Sequence, residues 1–387
     1  MPEMSTSELL FWLTTLLLLY TLAGYPIMLA ILTLFTKEKP YPAPVDRPKV
    51  SFIVAAYNEE RNIAAKLANL RGLTYDSDKI EFIIGSDAST DGTDRILDDA
   101  ACQDGRFRWF RLDRRGGKIA VLQQAVERAG GAILVFTDCS VTTEADIMAK
   151  ILSCFGDPKV GLVSSRDVWV NEHDRSPLAQ HQYIDYEMTI RQRESRLNSL
   201  VSASGSFFAV RRELFRAYGP DEADDFALPL RVYRQGYRVI HCADLVGYVP
   251  MVKSSGAELA RRTRIIRSGI RTVLANLPLL NPFRYPIFAW QLWSHKALKW
   301  LFPFIVILNI LLCIMSWNRS EVYQAVGAAY AVLGLLALAG FVIGGRSVWA
   351  RPFRTANFVL LSMVAVMAAW YQVATGRKPQ TWEPTHR

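Results

Sequence analysis

Cysteine is scarce and poorly arranged for cross-linking. The five in 387 residues, Cys102, Cys139, Cys154, Cys242 and Cys313, are scattered and odd in number, and no CxxC pair occurs. That excludes a disulfide framework and the common zinc spacings, and it suits a reducing compartment. No GxGxxG closes the first apolar run and no GxxxxGK[ST] appears anywhere, which argues against a dinucleotide-binding crossover and a P-loop. Zinc-finger spacing, an RNP signature and a helix-turn-helix pattern are also missing, so the net charge of +9 gives no reason to expect nucleic acid. Charge itself is absent from Leu9 to Phe35, a run longer than the roughly 20 residues that cross a bilayer.

That run predicts a transmembrane helix, and the acidic start MPEMSTSE makes it an anchor rather than a cleaved signal. Three further apolar stretches follow the polar middle: Ala297 to Trp317, Val322 to Gly344 and Ala356 to Ala374. Buried helices of a soluble domain fit such recurrence poorly. Lys37, Lys39, Arg47 and Lys49 follow the first span, and Arg284, Lys296 and Lys299 precede the second. The positive-inside bias therefore places the middle domain in the cytoplasm and the N-terminus outside. Between them, Trp290, Trp293 and Trp300 alternate with His295, Lys296 and Lys299, a composition for the headgroup zone. Three spans after a cytoplasmic domain leave the C-terminus outside, whereas Arg377, Lys378 and Arg387 favour the inside, so the side of the tail stays open. The basic flanks and the cluster from Arg261 to Arg271 fit anionic lipid.

From about Pro48 to Ala275 apolar β-rich runs alternate with helical spacing. KVSFIVAAY precedes NEERNIAAKLANL, IEFIIGSD precedes TDRILDDAA, RFRWFRLD precedes KIAVLQQAVERA, and AILVFTD follows. Strands alternating with helices predict an α/β domain with a largely parallel sheet covered on both faces. Ligands of such sheets sit at the carboxyl edge. Three strand ends there read AAYNEE, SDASTDGT and FTDCS, and the latter two deliver Asp87, Asp91 and Asp138. Asp, Ser, Thr and Gly are also ordinary turn and cap residues, so any one of these ends alone reads as a loop. Carboxylates repeated along one rim favour a charged ligand or a metal.

The blocks VAAYNEERNI, GSDASTDGT, GGKIAVLQQAVERAGGAILVFTD, ASGSFFAVRRELF and DDFALPLRVYRQGYRV occur in that order. With the flanking spans they resemble the membrane-bound family 2 glycosyltransferases, the broad group of the cellulose, chitin and hyaluronan synthases. The resemblance implies a GT-A fold, an α/β domain with a mainly parallel sheet inserted between N- and C-terminal transmembrane helices. Its expected divisions are an anchor at 1–36, a cytoplasmic transferase domain at 37–275, an interfacial segment at 276–298, transmembrane helices at 299–376 and a basic tail at 377–387. The resemblance further implies a nucleotide-sugar donor, a UDP-sugar foremost, bound through Ala55, Tyr57, Glu59, Asp87, Lys118, Asp138 and Arg264. Asp87 takes the position of a uridine or ribose contact, and Asp91 that of a helix-capping partner in the same turn.

Two positions depart from the family pattern. Where a D-x-D is usual, the strand ends in Asp138 and then Ser140, so Mg²⁺ or Mn²⁺ would rest on one carboxylate together with diphosphate and water oxygens. Where the processive synthases carry Q-x-x-R-W, this chain reads RRTRI: Arg261 replaces the Gln, Arg264 remains, and Ile265 replaces the Trp. Arg262, Arg264 and Arg267 still offer a cationic face, either to a diphosphate or to lipid headgroups, with Arg261 as a further supporting position. The resemblance assigns the catalytic base to Asp225, with Asp224 as the paired acid and Glu222 as the alternative nearby. A carboxylate there would take the proton of an acceptor hydroxyl in an inverting transfer. The acceptor is a glycan or a lipid-linked group at the cytoplasmic face, with further biosynthesis or export subunits as possible partners. Exopolysaccharide or envelope-glycan synthesis, single-sugar transfer to a lipid carrier, and a non-enzymatic scaffold that kept the fold are the readings the sequence leaves in order of preference.

Overall fold

The computed structural model describes residues 4–36, 47–170, 178–250, 258–343 and 348–376. Lys37, Lys39 and the basic tail from Arg377 lie outside them. Two compact units emerge, one of residues 1–31 with 254–378 and one built on residues 32–253. From the N-terminus, α1 (Thr6–Leu19) passes through a π-turn (Tyr20–Gly24) into α2 (Tyr25–Leu34). Then come β1 (Val50–Ala56), α3 (Glu60–Arg71), β2 (Ile80–Ser86), α4 (Thr93–Gln103), β3 (Phe107–Arg111), α5 (Lys118–Arg128) and β4 (Ile133–Thr137). They are followed by α6 (Ile147–Phe155), β5 (Val160–Val170), α7 (Leu178–Leu197), β6 (Phe207–Arg211), α8 (Asp224–Arg234) and β7 (Arg238–Pro250). The path ends with α9 (Glu258–Leu274), α10 (Pro286–Leu292), a second π-turn (Trp293–Ala297), α11 (Leu298–Met315), α12 (Glu321–Ala339) and α13 (Arg351–Ala374).

The strands form one seven-stranded sheet in the order β3-β2-β1-β4-β6-β5-β7. The β3-β2-β1-β4 half is parallel, as the alternation of strands and helices predicts. The other half is mixed: β6 runs antiparallel to both β4 and β5, while β5 and β7 are parallel. This arrangement brings the loop before β6 to the rim where β4 ends, because Thr137 pairs with Phe207.

Each face of the sheet is covered, which is why β1, β2 and β4 are buried along their whole length and are mostly apolar. Val50, Phe52, Val54 and Ala56 of β1 join one core with Ile63, Leu67 and Leu70 of α3, Leu97 of α4 and Ile151 of α6. The alternate residues Ile53 and Ala55 join the other, with Val121, Leu122 and Ala125 of α5 and Leu228 and Val232 of α8. The period of two along the strand thus sorts its side chains between two helical layers.

In the unit of residues 1–31 and 254–378, Pro286–Met315, Glu321–Ala339 and Arg351–Ala374 are long and apolar enough to cross a membrane, and so is the N-terminal helix Thr6–Leu34, which begins in that unit. The tryptophan-rich stretch continues through its π-turn into α11 as one 30-residue helix. Buried Asn309 of α11 reaches the carbonyl of Phe11 at 3.1 Å and the hydroxyls of Thr14 and Thr15 at 2.8 and 2.9 Å, and accepts from Tyr330 of α12 at 2.8 Å. Side-chain amides and hydroxyls joining apolar helices in this way supply the contacts that hydrophobicity cannot supply in lipid.

Candidate functional site

Among the described residues, two non-glycine residues have positive φ, Asn58 at 49° and Ala88 at 56°, and each lies two residues past a strand end, of β1 and β2 respectively. Left-handed backbone at such residues persists only where surrounding contacts hold it. Those contacts run between the two loops. Asn58 Oδ1 accepts the Thr90 N–H at 2.8 Å, Asp91 Oδ2 accepts that of Glu60 at 3.1 Å, and Glu60 Oε2 accepts that of Gly92 at 3.2 Å. Asp91 Oδ1 also accepts the Thr93 N–H at 3.0 Å, at the first turn of α4. Burial acts to raise the Asp91 carboxyl, but donation from Thr93 and Glu60 outweighs it and holds the group below the usual carboxylate range. Asp91 therefore serves two helix starts at once.

Asp87 is fully buried at the end of β2, and its carboxylate accepts the backbone N–H of Gly116 at 2.6 Å and that of Gly117 at 3.1 Å. Gly117, at φ 82°, caps α5 with backbone geometry that suits glycine. The Arg115 guanidinium lies 3.7 Å from Asp87 and 3.6 Å from the ring centre of Tyr57. Asp87 thus anchors the turn from which Lys118 projects. Ala55 is buried within β1, and Glu59 is buried and accepts from Asn62 at 2.7 Å.

Lys118, the first residue of α5, is the centre of the cluster. Its ammonium lies 3.0 Å from Asp138 Oδ1 and 3.0 Å from Asp224 Oδ2, and donates to the Gly205 carbonyl at 3.4 Å. Burial would lower its pKa, yet the two carboxylates overcome that and raise it above the ordinary lysine value. Leu122, Phe136 and Phe208 line the narrow space around it. Asp225 follows Asp224 in the first turn of α8, where carboxylates meet the positive helix end. A Cβ on Gly205 would stand 3.0 Å from Asp225 Oδ2, so glycine there lets the loop lie against the carboxylate. Glu222 is committed elsewhere: it pairs with Arg231 at 2.8 and 3.0 Å and accepts the Gly219 N–H at 2.7 Å.

Arg261, Arg262 and Arg264 all lie on α9 in the other unit. The Arg262 guanidinium stacks on Phe358 at 4.2 Å and donates to Ser362 Oγ of α13 at 3.1 Å. Among the described residues, no three His, Cys, Asp or Glu side chains converge as a metal cage.

Several contributors escape a reading by motif. Asp167 of β5 accepts from Ser204 Oγ at 2.7 Å and Ser206 Oγ at 2.6 Å, tying down the turn that carries Gly205. Lys66 of α3, 1% exposed, donates to Thr137 Oγ1 at 2.8 Å and the Val141 carbonyl at 2.7 Å, spanning the turn that carries Asp138. Tyr218 is buried; that burial, then the charges of Asp224 and Asp225, push its phenol well above its ordinary value. Ser204 and Ser206 fall within the block ASGSFFAVRRELF, whereas Lys66 reads only as an inward helical position and Tyr218 lies in no block.

The profile described as Glycosyl transferase family 2 matches residues 51–219. A beta-monoglucosyldiacylglycerol synthase of Nostoc sp. is 27% identical over 220 residues, covering 55% of this chain and 46% of the relative. A poly-beta-1,6-N-acetyl-D-glucosamine synthase of Staphylococcus aureus is 23% identical, covering 67% of this chain and 64% of the relative. The chain therefore spans roughly half to two thirds of the length of these relatives. In fold it is similar to a mannosyltransferase of Pyrobaculum calidifontis solved with GDP-Man and Mn²⁺, at a TM-score of 0.72 and 23% identity, covering 95% of this chain and all of that one.

Proposed function

We propose that this chain, which carries a glycosyl transferase family 2 domain, moves a sugar from a nucleotide-sugar donor to a hydroxyl of a saccharide or lipid-linked acceptor at the cytoplasmic membrane face, with inversion. The observation that supports the reading best is the convergence of Lys118, Asp138 and Asp224 at the carboxyl edge, with Asp225 adjacent at the start of α8. A cation flanked by carboxylates suits a diphosphate leaving group, and a second carboxylate one residue on suits a base.

In this reading Asp87 and Asp91 hold the loops that frame the nucleotide, Lys118 and Asp138 meet the diphosphate, and Asp225 takes the acceptor proton as its oxygen attacks the anomeric carbon. Asp224 keeps Lys118 in position. Mg²⁺ or Mn²⁺ is compatible with the donor set, since Asp138, Asp224 and the Gly205 carbonyl already direct oxygen at one cation, the Lys118 ammonium. Asp138 would hold the metal with diphosphate oxygens, and when bound it would neutralise charge on the leaving group.

UDP-sugars are the first donors to test, and GDP-sugars the second, given the mannosyltransferase with GDP-Man that shares the fold. Purified full chain in detergent, offered each nucleotide sugar with membrane lipid extract, should release nucleoside diphosphate from one class. No release from any donor would leave the scaffold reading. Product length then separates two acceptor readings. Ile265 in place of the family Trp, and similarity to a glycolipid synthase, favour a single transfer; similarity to a polysaccharide synthase favours a chain.

A further inference from the structure

Lys118 does more than wait for phosphate. Its ammonium sits among three oxygens from three separate segments, Asp138 at the end of β4, Gly205 in the loop before β6, and Asp224 at the start of α8. The two carboxylates are mostly withdrawn from solvent, with side-chain exposures of 27% for Asp138 and 13% for Asp224, and the lysine side chain itself is 20% exposed. Two carboxylates brought together this far from bulk water repel one another unless a cation lies between them. Lys118 is that cation.

Hard divalent ions prefer the same oxygen chemistry, at about 2.0–2.1 Å for Mg²⁺, and Mn²⁺ likewise suits carboxylate and carbonyl oxygen. Such an ion on Asp138 would stand where the ammonium already neutralises the group, and both cations cannot share the two carboxylates fully. We propose that Lys118 and the divalent cation compete for one oxygen seat, the lysine acting as a tethered counter-cation that keeps metal affinity low until a nucleoside diphosphate draws it away. The proposal rests on the transferase reading for the identity of the anion, but not for the competition itself. The four-carbon stem of lysine permits the exchange, because the head can move between neighbouring anions while α5 stays fixed. Asp224 then has a defined part: it is the second carboxylate of the seat, supplying an oxygen opposite Asp138 to whichever cation occupies it. The pairing also accounts chemically for a serine at position 140, because a second carboxylate on that turn would add another charge to a seat already balanced by one lysine and two aspartates.

The test is Mn²⁺ binding by the full-length protein in detergent without nucleotide, read from the electron paramagnetic resonance of free Mn²⁺. Wild type should bind weakly, and Lys118→Met should bind at least about tenfold more tightly, roughly 1.4 kcal/mol. Lys118→Gln, which keeps a hydrogen-bond donor but no charge, should shift the same way and serves if the methionine variant does not fold. The double variant Lys118→Met with Asp224→Asn should lose the gain. Adding UDP or GDP should tighten Mn²⁺ binding more in wild type than in Lys118→Met, since the variant has no competitor to remove. Mn²⁺ binding by Lys118→Met and Lys118→Gln no tighter than wild type would overturn the competition, as would a gain that survives Asp224→Asn. Because no turnover is measured, these outcomes stand apart from the donor screen: competition without turnover would leave the seat and remove the transferase reading, and turnover without competition would do the reverse.

Discussion

Replacing Lys66 by methionine should change how stability depends on pH more than it changes stability near neutrality. Lys66 shares the buried face of α3 with Ile63, Leu67 and Leu70, and its ammonium donates to Thr137 Oγ1 and the Val141 carbonyl. Burial pulls its pKa from 10.5 down to about 8, partly opposed by the nearby Asp138 carboxylate. The folded group therefore gives up its proton sooner than the unfolded one. Between about pH 8 and pH 10.5 the unfolded chain binds the extra proton, so the Lys66 contribution to stability rises with pH across that window. The interval from 10.5 to about 8 corresponds to about 3 kcal/mol. Methionine keeps the stem's volume, removes the titration and leaves Thr137 and Val141 without their donor. The stability difference, wild type minus variant, should thus be small near pH 7 and grow by about 3 kcal/mol by pH 10.5. Denaturant unfolding of the full chain in detergent at several pH values, followed by tryptophan fluorescence, measures it. A difference that stays flat from pH 7 to pH 10.5 would refute a buried, proton-shifted Lys66.

Two further outcomes are expected. Asp225→Asn should lower kcat by about 10²-fold or more with little change in donor affinity, because it removes a proton acceptor and keeps shape; equal damage to donor binding in steady-state and direct binding measurements would make the residue structural. A reporter fused just after Thr36 should behave as cytoplasmic and one at the N-terminus as external, and the opposite pattern would strand the site away from cytoplasmic nucleotide sugars.

The first half of the sheet was legible because its code is local. Apolar runs of five to seven residues, each followed by helical spacing, leave few alternatives to a parallel arrangement, and the strand ends then name Asp87, Asp91 and Asp138 by position. The second half was not legible in the same way. FFAV is as apolar as ILVF, and nothing in a short buried run states its direction, so the antiparallel course of β6 had to come from the structure. Lys66 shows a related limit: the helical pattern marks its position as inward, but a lysine in that register reads as a snorkelling exception until its partners, more than 70 residues away, are seen. Asp87 was found by its place at a strand end, whereas its hold on Gly116 and Gly117 depends on a turn 29 and 30 residues later.

These long-range ties follow one rule. Each loop that presents a candidate group is fastened by a polar side chain from outside that loop. Asp87 fastens the turn before Lys118, Lys66 the turn around Asp138, Asp167 the turn around Gly205, and Arg231, through Glu222, the approach to Asp224 and Asp225. Burying such groups costs stability unless every bond is made, so an apolar core would have been the easier way to hold the same loops. What the polar ties add is direction, because a hydrogen bond fixes the orientation of a backbone turn where packing fixes only its distance. Within that fastened frame Lys118 differs from its neighbours: its backbone is set by Gly117 and α5, but four rotatable bonds separate that backbone from the charge. Movement at the rim is therefore expected to concentrate in one lysine head, while the carboxylates on either side of it stay where the loops place them.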